Sequence, residues 1–111
     1  MSGAIIKMQP KSILLNAKQV KEVFGDCSTT FYQKVREIRG QIESGRYSQY
    51  ALVEEKGTKV NFYVYYDYSV HRKQLLDKNA AKYTPEFNPM EIAKIFPIVE
   101  RTVVIPESAM A

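Results

Sequence analysis

Residues 15–45, LNAKQVKEVFGDCSTTFYQKVREIRGQIESG, constrain the fold more than any other stretch. They read as two amphipathic helices separated by a glycine. Asn16 is placed to cap the first helix, Gln19 stands three positions on to return the bond, and Leu15 can staple onto Val20. Ala17, Val20, Val23 and Phe24 then recur at helical spacing. Gly25 ends the helix because it takes a left-handed conformation at little cost. Asp26, Cys27 and Ser28 make the turn, with Ser28 expected to cap the next helix.

The second helix separates its faces. Phe31, Val35, Ile38 and Ile42 follow a spacing of i, i+4, i+7 and i+11, a stripe that requires burial. The opposite side holds Thr29, Thr30, Gln33, Arg36 and Glu37. Threonine, glutamine and arginine are side chains that reach base edges and phosphates in a major groove. The alternative is an ordinary helical hairpin with a solvated polar face.

Beyond residue 48, two runs rich in strand-forming residues, 50–53 and 60–65, flank EEKGTK, with Gly57 placed for a positive φ. This is the pattern of a β-hairpin with a basic tip at Lys56 and Lys59. In its second strand Val60, Phe62 and Val64 alternate with Asn61, Tyr63 and Tyr65. A third helix is expected from a cap at Asp67 or Ser69 to about Tyr83. Its apolar stripe is expected to be Tyr68, His71, Leu75, Leu76, Ala80 and Tyr83, with Arg72, Lys73, Lys78 and Lys82 facing outward. The lone His71 reads as a packed or hydrogen-bonded residue, having no catalytic partner in the sequence.

Residues 1–12 read as a leader in which Ile5 and Ile6 add a strand or cover a core edge. Four prolines break residues 84–111 into short pieces. Within them Asn88, Pro89 and Glu91 form a helix start, showing Ile92, Ile95 and Phe96 on one side. A helix this short does not persist alone, so it is expected to dock on its own body or on a second copy, with residues 102–105 fixed beside it.

At 111 residues the chain suits one small domain, residues 13–83, between the leader and the C-terminal extension. Its net charge of +4 is unevenly placed. Residues 1–83 carry 14 Lys/Arg against 8 Asp/Glu, and residues 84–111 carry 2 against 4. A basic body with an acidic tail suits a body that meets a polyanion. The single cysteine excludes an internal disulfide, and Cys27 is expected to pack in its turn. No Cys/His spacing suggests zinc or another cofactor, and no apolar run reaches the length of a membrane span. Paired carboxylates, a nucleophile beside a base and a phosphate loop are all missing from the pattern, so an enzyme acting on a small-molecule substrate is not expected. The expected setting is cytoplasmic.

Helix, glycine turn, helix, hairpin, helix is the element order of the excisionase-like winged helix-turn-helix domains, which the chain resembles over residues 13–76. The matching features are Leu15-Asn16-Ala17 opening the first helix, Phe24-Gly25 ending it, and Ser28-Thr29-Thr30-Phe31-Tyr32 opening the second. The chain departs from the family in a wing reduced to Lys56 and Lys59 and in a second helix that continues to Ile42. The resemblance implies an α+β winged helix-turn-helix that binds double-stranded DNA. Phage and mobile-element excisionases, transcription regulators and replication accessory proteins are of this kind. Ser28, Thr29, Thr30, Gln33, Lys34, Arg36 and Arg39 would meet the major groove, and Lys56 and Lys59 the neighbouring backbone. Specificity from so small a domain needs repeated sites or a homo-oligomer, for which Ile92, Ile95 and Phe96 are the candidate contacts. The rival reading is a protein-interaction module, a small phage-type protein modulating a host factor. It would present Tyr47, Tyr50, Tyr63, Tyr65, Tyr66 and Tyr68 to its partner.

Overall fold

Asn16 closes a full capping box: its side chain accepts from Gln19 N at 2.9 Å, and Gln19 Oε1 accepts from Asn16 N at 2.9 Å. This fixes the start of helix α1, Ala17–Phe24, and Gly25 ends it in the left-handed region at φ 82°. The computed structural model describes residue 6, residues 12–54 and residues 56–96. Helix α2, Ser28–Glu43, follows after a three-residue turn. Its cap position is Cys27, not Ser28, and no side chain bonds there. With Gly25 reversing the chain, Asp26 and Cys27 complete the turn and α2 begins one residue earlier than the serine suggested. Cys27 is exposed on the turn rather than packed within it.

A small antiparallel sheet lies beside the helices. Strand β1, Leu14–Leu15, and strand β2, Leu52–Glu54, flank the central strand β3, Thr58–Asn61. Leu15 pairs with Val60 on one side of β3, and Leu52 pairs with Val60 on the other. Gly57 turns the hairpin at φ 109°, with Lys56 before it at φ 54°. Both expected strands are shorter than the sequence pattern suggested, because residues 49–51 form a 3-10 turn and residues 62–65 are helical.

Asn61 ends the third strand and starts the third helix. Its Oδ1 accepts from Tyr63 N at 2.8 Å and Val64 N at 3.3 Å, so helix α3 runs Phe62–Leu76. The expected start at Asp67 or Ser69 is therefore corrected by at least a turn, and the expected end at Tyr83 falls in a separate 3-10 turn, Ala81–Tyr83. The core side of α3 is Phe62, Val64, Tyr65 and Tyr68; Leu76 and Tyr83, placed on the stripe by spacing, are exposed. Alternating aromatic and valine residues favour strands locally, yet burial of Phe62 and Tyr65 against Phe24 makes this segment helical (ring centroids 5.5 and 4.8 Å apart).

The core gathers Val20, Val23 and Phe24 from α1, Phe31, Val35 and Ile38 from α2, Leu15 and Val60 from the sheet, and the aromatic side of α3. Ile6 from the leader packs against its edge, while Ile5 lies outside the described residues. The described part of the extension, residues 84–96, docks on its own body. Helix α4, Pro89–Ile95, is capped by Asn88, whose side chain accepts from Glu91 N at 3.3 Å. Ile92 is buried, Phe96 meets Tyr66 at 5.2 Å and Phe62 at 5.9 Å, and Phe87 meets Tyr47 edge-on at 5.1 Å. Residues 102–105 lie outside the described residues. The architecture is thus α+β: four α-helices and one three-stranded antiparallel sheet among the described residues.

Candidate nucleic-acid interface

Two groupings of one design tie the inner flank of α2 to α3, each a carboxylate holding a tyrosine hydroxyl and a cation, and a third joins α3 to the segment that follows α2. Asp26 Oδ2 accepts from Tyr65 OH at 2.7 Å and Lys34 Nζ at 2.9 Å. Lys34 also donates to Ser69 Oγ at 3.1 Å and stands 5.2 Å from the centre of the Tyr65 ring. Glu37 accepts from Tyr68 OH at 2.7 Å and takes both Nε and Nη2 of Arg72, at 2.8 and 2.9 Å. Asp67 Oδ2 accepts from Tyr47 OH at 2.7 Å and Arg46 Nη2 at 2.9 Å, with His71 Nε2 3.7 Å from its other oxygen.

These groupings neutralise the buried charges in place. The Arg72 hydrogen bonds hold the Glu37 carboxyl below the usual carboxylate range. Burial, followed by the hydrogen bond to a carboxylate, pushes the hydroxyls of Tyr47, Tyr65 and Tyr68 up, so all three stay protonated donors. Two expectations are corrected here. Lys34 is only 9% exposed and bonded to Asp26, so it has no free ammonium to offer a phosphate. Arg72 and Glu37 do not face outward; they are each other's partners.

The outer flank of α2 is different. Thr29, Gln33 and Arg36 are exposed, and their side chains make no hydrogen bond or ion pair among the described residues. Ser28 is exposed at the first turn, and Thr30, half-buried, contacts Cys27 Sγ at 3.5 Å. That hydrogen bond lowers the Cys27 thiol below its ordinary value. Two further residues that the spacing did not single out lie on this flank: Tyr32, 49% exposed, and Gly40, exposed one turn beyond Arg36. Gly40 could have been found by extending the series Thr29, Gln33, Arg36 by four positions.

Arg39 links this flank to the hairpin by pairing with Glu54 on β2. That bond, with a second from Thr58, lowers the Glu54 carboxyl. Beside the pair, Arg39, Ile42, Glu43, Gln49 and Leu52 line a furrow of about 240 Å³ between α2 and the start of β2. Lys56, exposed at the hairpin tip, and Lys59, half-buried on β3, have no ionic partner among the described residues. The structure thus joins Arg39 of α2 to the hairpin that carries Lys56 and Lys59, and takes Lys34 away from the outer flank.

The tyrosines do not form one surface. Tyr47, Tyr65 and Tyr68 are buried, Tyr63 and Tyr66 half-buried, and Tyr50 alone of the six stands in solvent. Of the three residues named for self-association, Ile92 and Phe96 pack within the chain, and Ile95 remains exposed with Met90. No three His, Cys, Asp or Glu side chains gather as metal ligands do among the described residues. No helix among them is long and apolar enough to cross a membrane. Protein-family models, curated proteins and solved structures give no match to this chain.

Proposed function

We propose that the chain is a small DNA-binding protein of winged helix-turn-helix type, with α2 as the groove-reading helix and the β2–β3 hairpin as its wing. The observation that carries this reading is the contrast across α2. Lys34 and Glu37 on the inner flank are fully engaged, while the side chains of Thr29, Gln33 and Arg36 on the outer flank have no partner among the described residues. A helix that keeps bidentate-capable side chains in a row beside a hairpin with two unpaired lysines suits duplex recognition. Phosphate contacts from Arg36, Lys56 and Lys59 would set register and salt dependence; Thr29 and Gln33 would read base edges. The order of elements, β1, α1, α2, hairpin, α3, is consistent with the excisionase-like resemblance, and with it an accessory role in excision, transcription or replication of a mobile element. Self-association through α4, if used on repeated sites, has Met90 and Ile95 as its free apolar residues.

Selection of duplexes from a random pool, followed by polarisation titration of Gln33→Ala and Thr29→Ala, tests the assignment. Each variant should keep the parent fold and lose preference at one base-pair position, by about 1–3 kcal/mol. No enrichment by the parent, or parent-like selectivity in both variants, contradicts it.

A further inference from the structure

Gly40 has no internal reason to be a glycine. It lies inside α2, three residues before its last residue Glu43, and its carbonyl accepts from Ser44 N at 3.0 Å in the ordinary helical manner. The left-handed position after the helix belongs to Gly45, at φ 98°, so Gly40 does not serve as that cap. A Cβ built on Gly40 meets no atom within 4 Å among the described residues, so none of them demands its smallness. Glycine in a helix interior is nevertheless unfavourable relative to alanine, because it loses more backbone freedom on folding. It sits on the same row as Thr29, Gln33 and Arg36, at i+11, i+7 and i+4 from them, and Arg39 precedes it in the chain.

We infer that Gly40 is a close-approach point where the sugar–phosphate backbone of a DNA duplex crosses α2, with Arg36 one turn before it placed for the phosphates. The inference rests on the DNA reading and deepens it. The second half of α2 lies against the duplex as well as its first turns, which gives the unusual length of this helix a use. A phosphodiester backbone is the occupant favoured over a packed protein helix, because the row through Gly40 carries Arg36, without an ion pair among the described residues, and the one large aromatic side chain of this flank, Tyr32, lies about two turns away. Contact at the backbone makes the effect of filling this position independent of base sequence.

The test uses Gly40→Ala and Gly40→Leu in the full chain, with thermal unfolding and polarisation titration on several unrelated duplexes. Both variants should fold, and Gly40→Ala should unfold at a higher temperature than the parent, since it adds helix propensity in open space. Gly40→Ala should weaken every duplex by about tenfold, equal to about 1.4 kcal/mol, and Gly40→Leu should weaken them further. Parent-like affinity in both variants overturns the close approach while leaving the DNA reading intact, provided Arg36→Ala still weakens binding. A loss confined to particular sequences overturns the assignment to the backbone. Absence of any duplex binding by the parent at low salt overturns the DNA reading and this inference together.

Discussion

The two flanks of α2 carry similar residue types and use them in opposite ways. On the inner flank Lys34 and Glu37 each find a tyrosine-bearing partner on α3, and every charge is met within about 3 Å by an opposite one. On the outer flank the Arg36 and Gln33 side chains have no hydrogen bond or ion pair among the described residues. The lesson is that a basic count says little about what a partner can reach. Of the cations in this region, those beside a carboxylate–tyrosine pair belong to the fold, Arg39 is held by Glu54, and Arg36, Lys56 and Lys59 have no ion pair among the described residues. The comparison separates residues that should change stability from residues that should change binding, and each can be tried.

The largest effect is expected on the inner flank. Phe31 and Ile38 are fully buried, so Phe31→Ala should cost about 3–5 kcal/mol and Ile38→Ala about 2–5 kcal/mol. Gln33→Ala on the outer flank should stay within about 0.5 kcal/mol of the parent. Denaturant midpoints measure all three, and equal losses would mean that the faces of α2 are misassigned.

Next comes Lys34→Met, which removes the cation from Asp26 and Ser69 but keeps an apolar stem against Tyr65. A charge-assisted hydrogen bond of this kind contributes about 1.5–3 kcal/mol. Stability should fall by an amount in that range, and affinity of the folded variant for duplex should stay with the parent's. A drop in affinity matching that of Arg36→Ala would erase the distinction between the flanks.

Acid should act on the inner flank as well. The folded-state pKa of Glu37 lies below its unfolded value, so its contribution is full above the ordinary carboxylate range and is lost as pH falls through the folded value. Glu37→Gln should therefore flatten the decline of stability on acidification relative to the parent. Parallel acid profiles by thermal unfolding would show that the Arg72 pair is not what acid breaks.

Among the charge pairs, the smallest change in stability is expected at Glu54. Its pair with Arg39 is half exposed on both sides and screened by water, so Glu54→Gln should leave the denaturant midpoint close to the parent's. It should tighten duplex binding at low salt, because it frees Arg39 and removes a negative charge from the region that would meet phosphate. Weaker binding would indicate that the pair holds the hairpin in its working position.

The pair α1 and α2 could be read from residues 15–45 because its signals are local: Asn16 and Gln19 cap each other, Gly25 takes a left-handed conformation, and the α2 stripe repeats cleanly. Asn88, Pro89 and Glu91 announced α4 for the same reason. The start of α3 could not be read in that way. Residues 62–65 are strand formers in alternation, and the helix they join has no apolar stripe, because tyrosines with hydroxyls bonded to Asp26 and Glu37 fill positions that aliphatic residues would otherwise mark. Lys34 was misplaced by a related cause. Its carboxylate partner lies eight residues away in the turn and its hydroxyl partner 35 residues away on α3, distances that no helical spacing conveys.

The separation of the flanks is tested most directly by the salt dependence of duplex binding for the parent, Arg36→Ala and Lys34→Met, measured side by side by polarisation. The parent should bind with a steep negative slope of log affinity against log salt. Arg36→Ala should lower affinity on all sequences and reduce that slope by about one, while Lys34→Met keeps the parent slope. A parent that does not bind duplex, or a slope that falls with Lys34→Met and not with Arg36→Ala, would contradict the assignment of the outer flank of α2 to DNA.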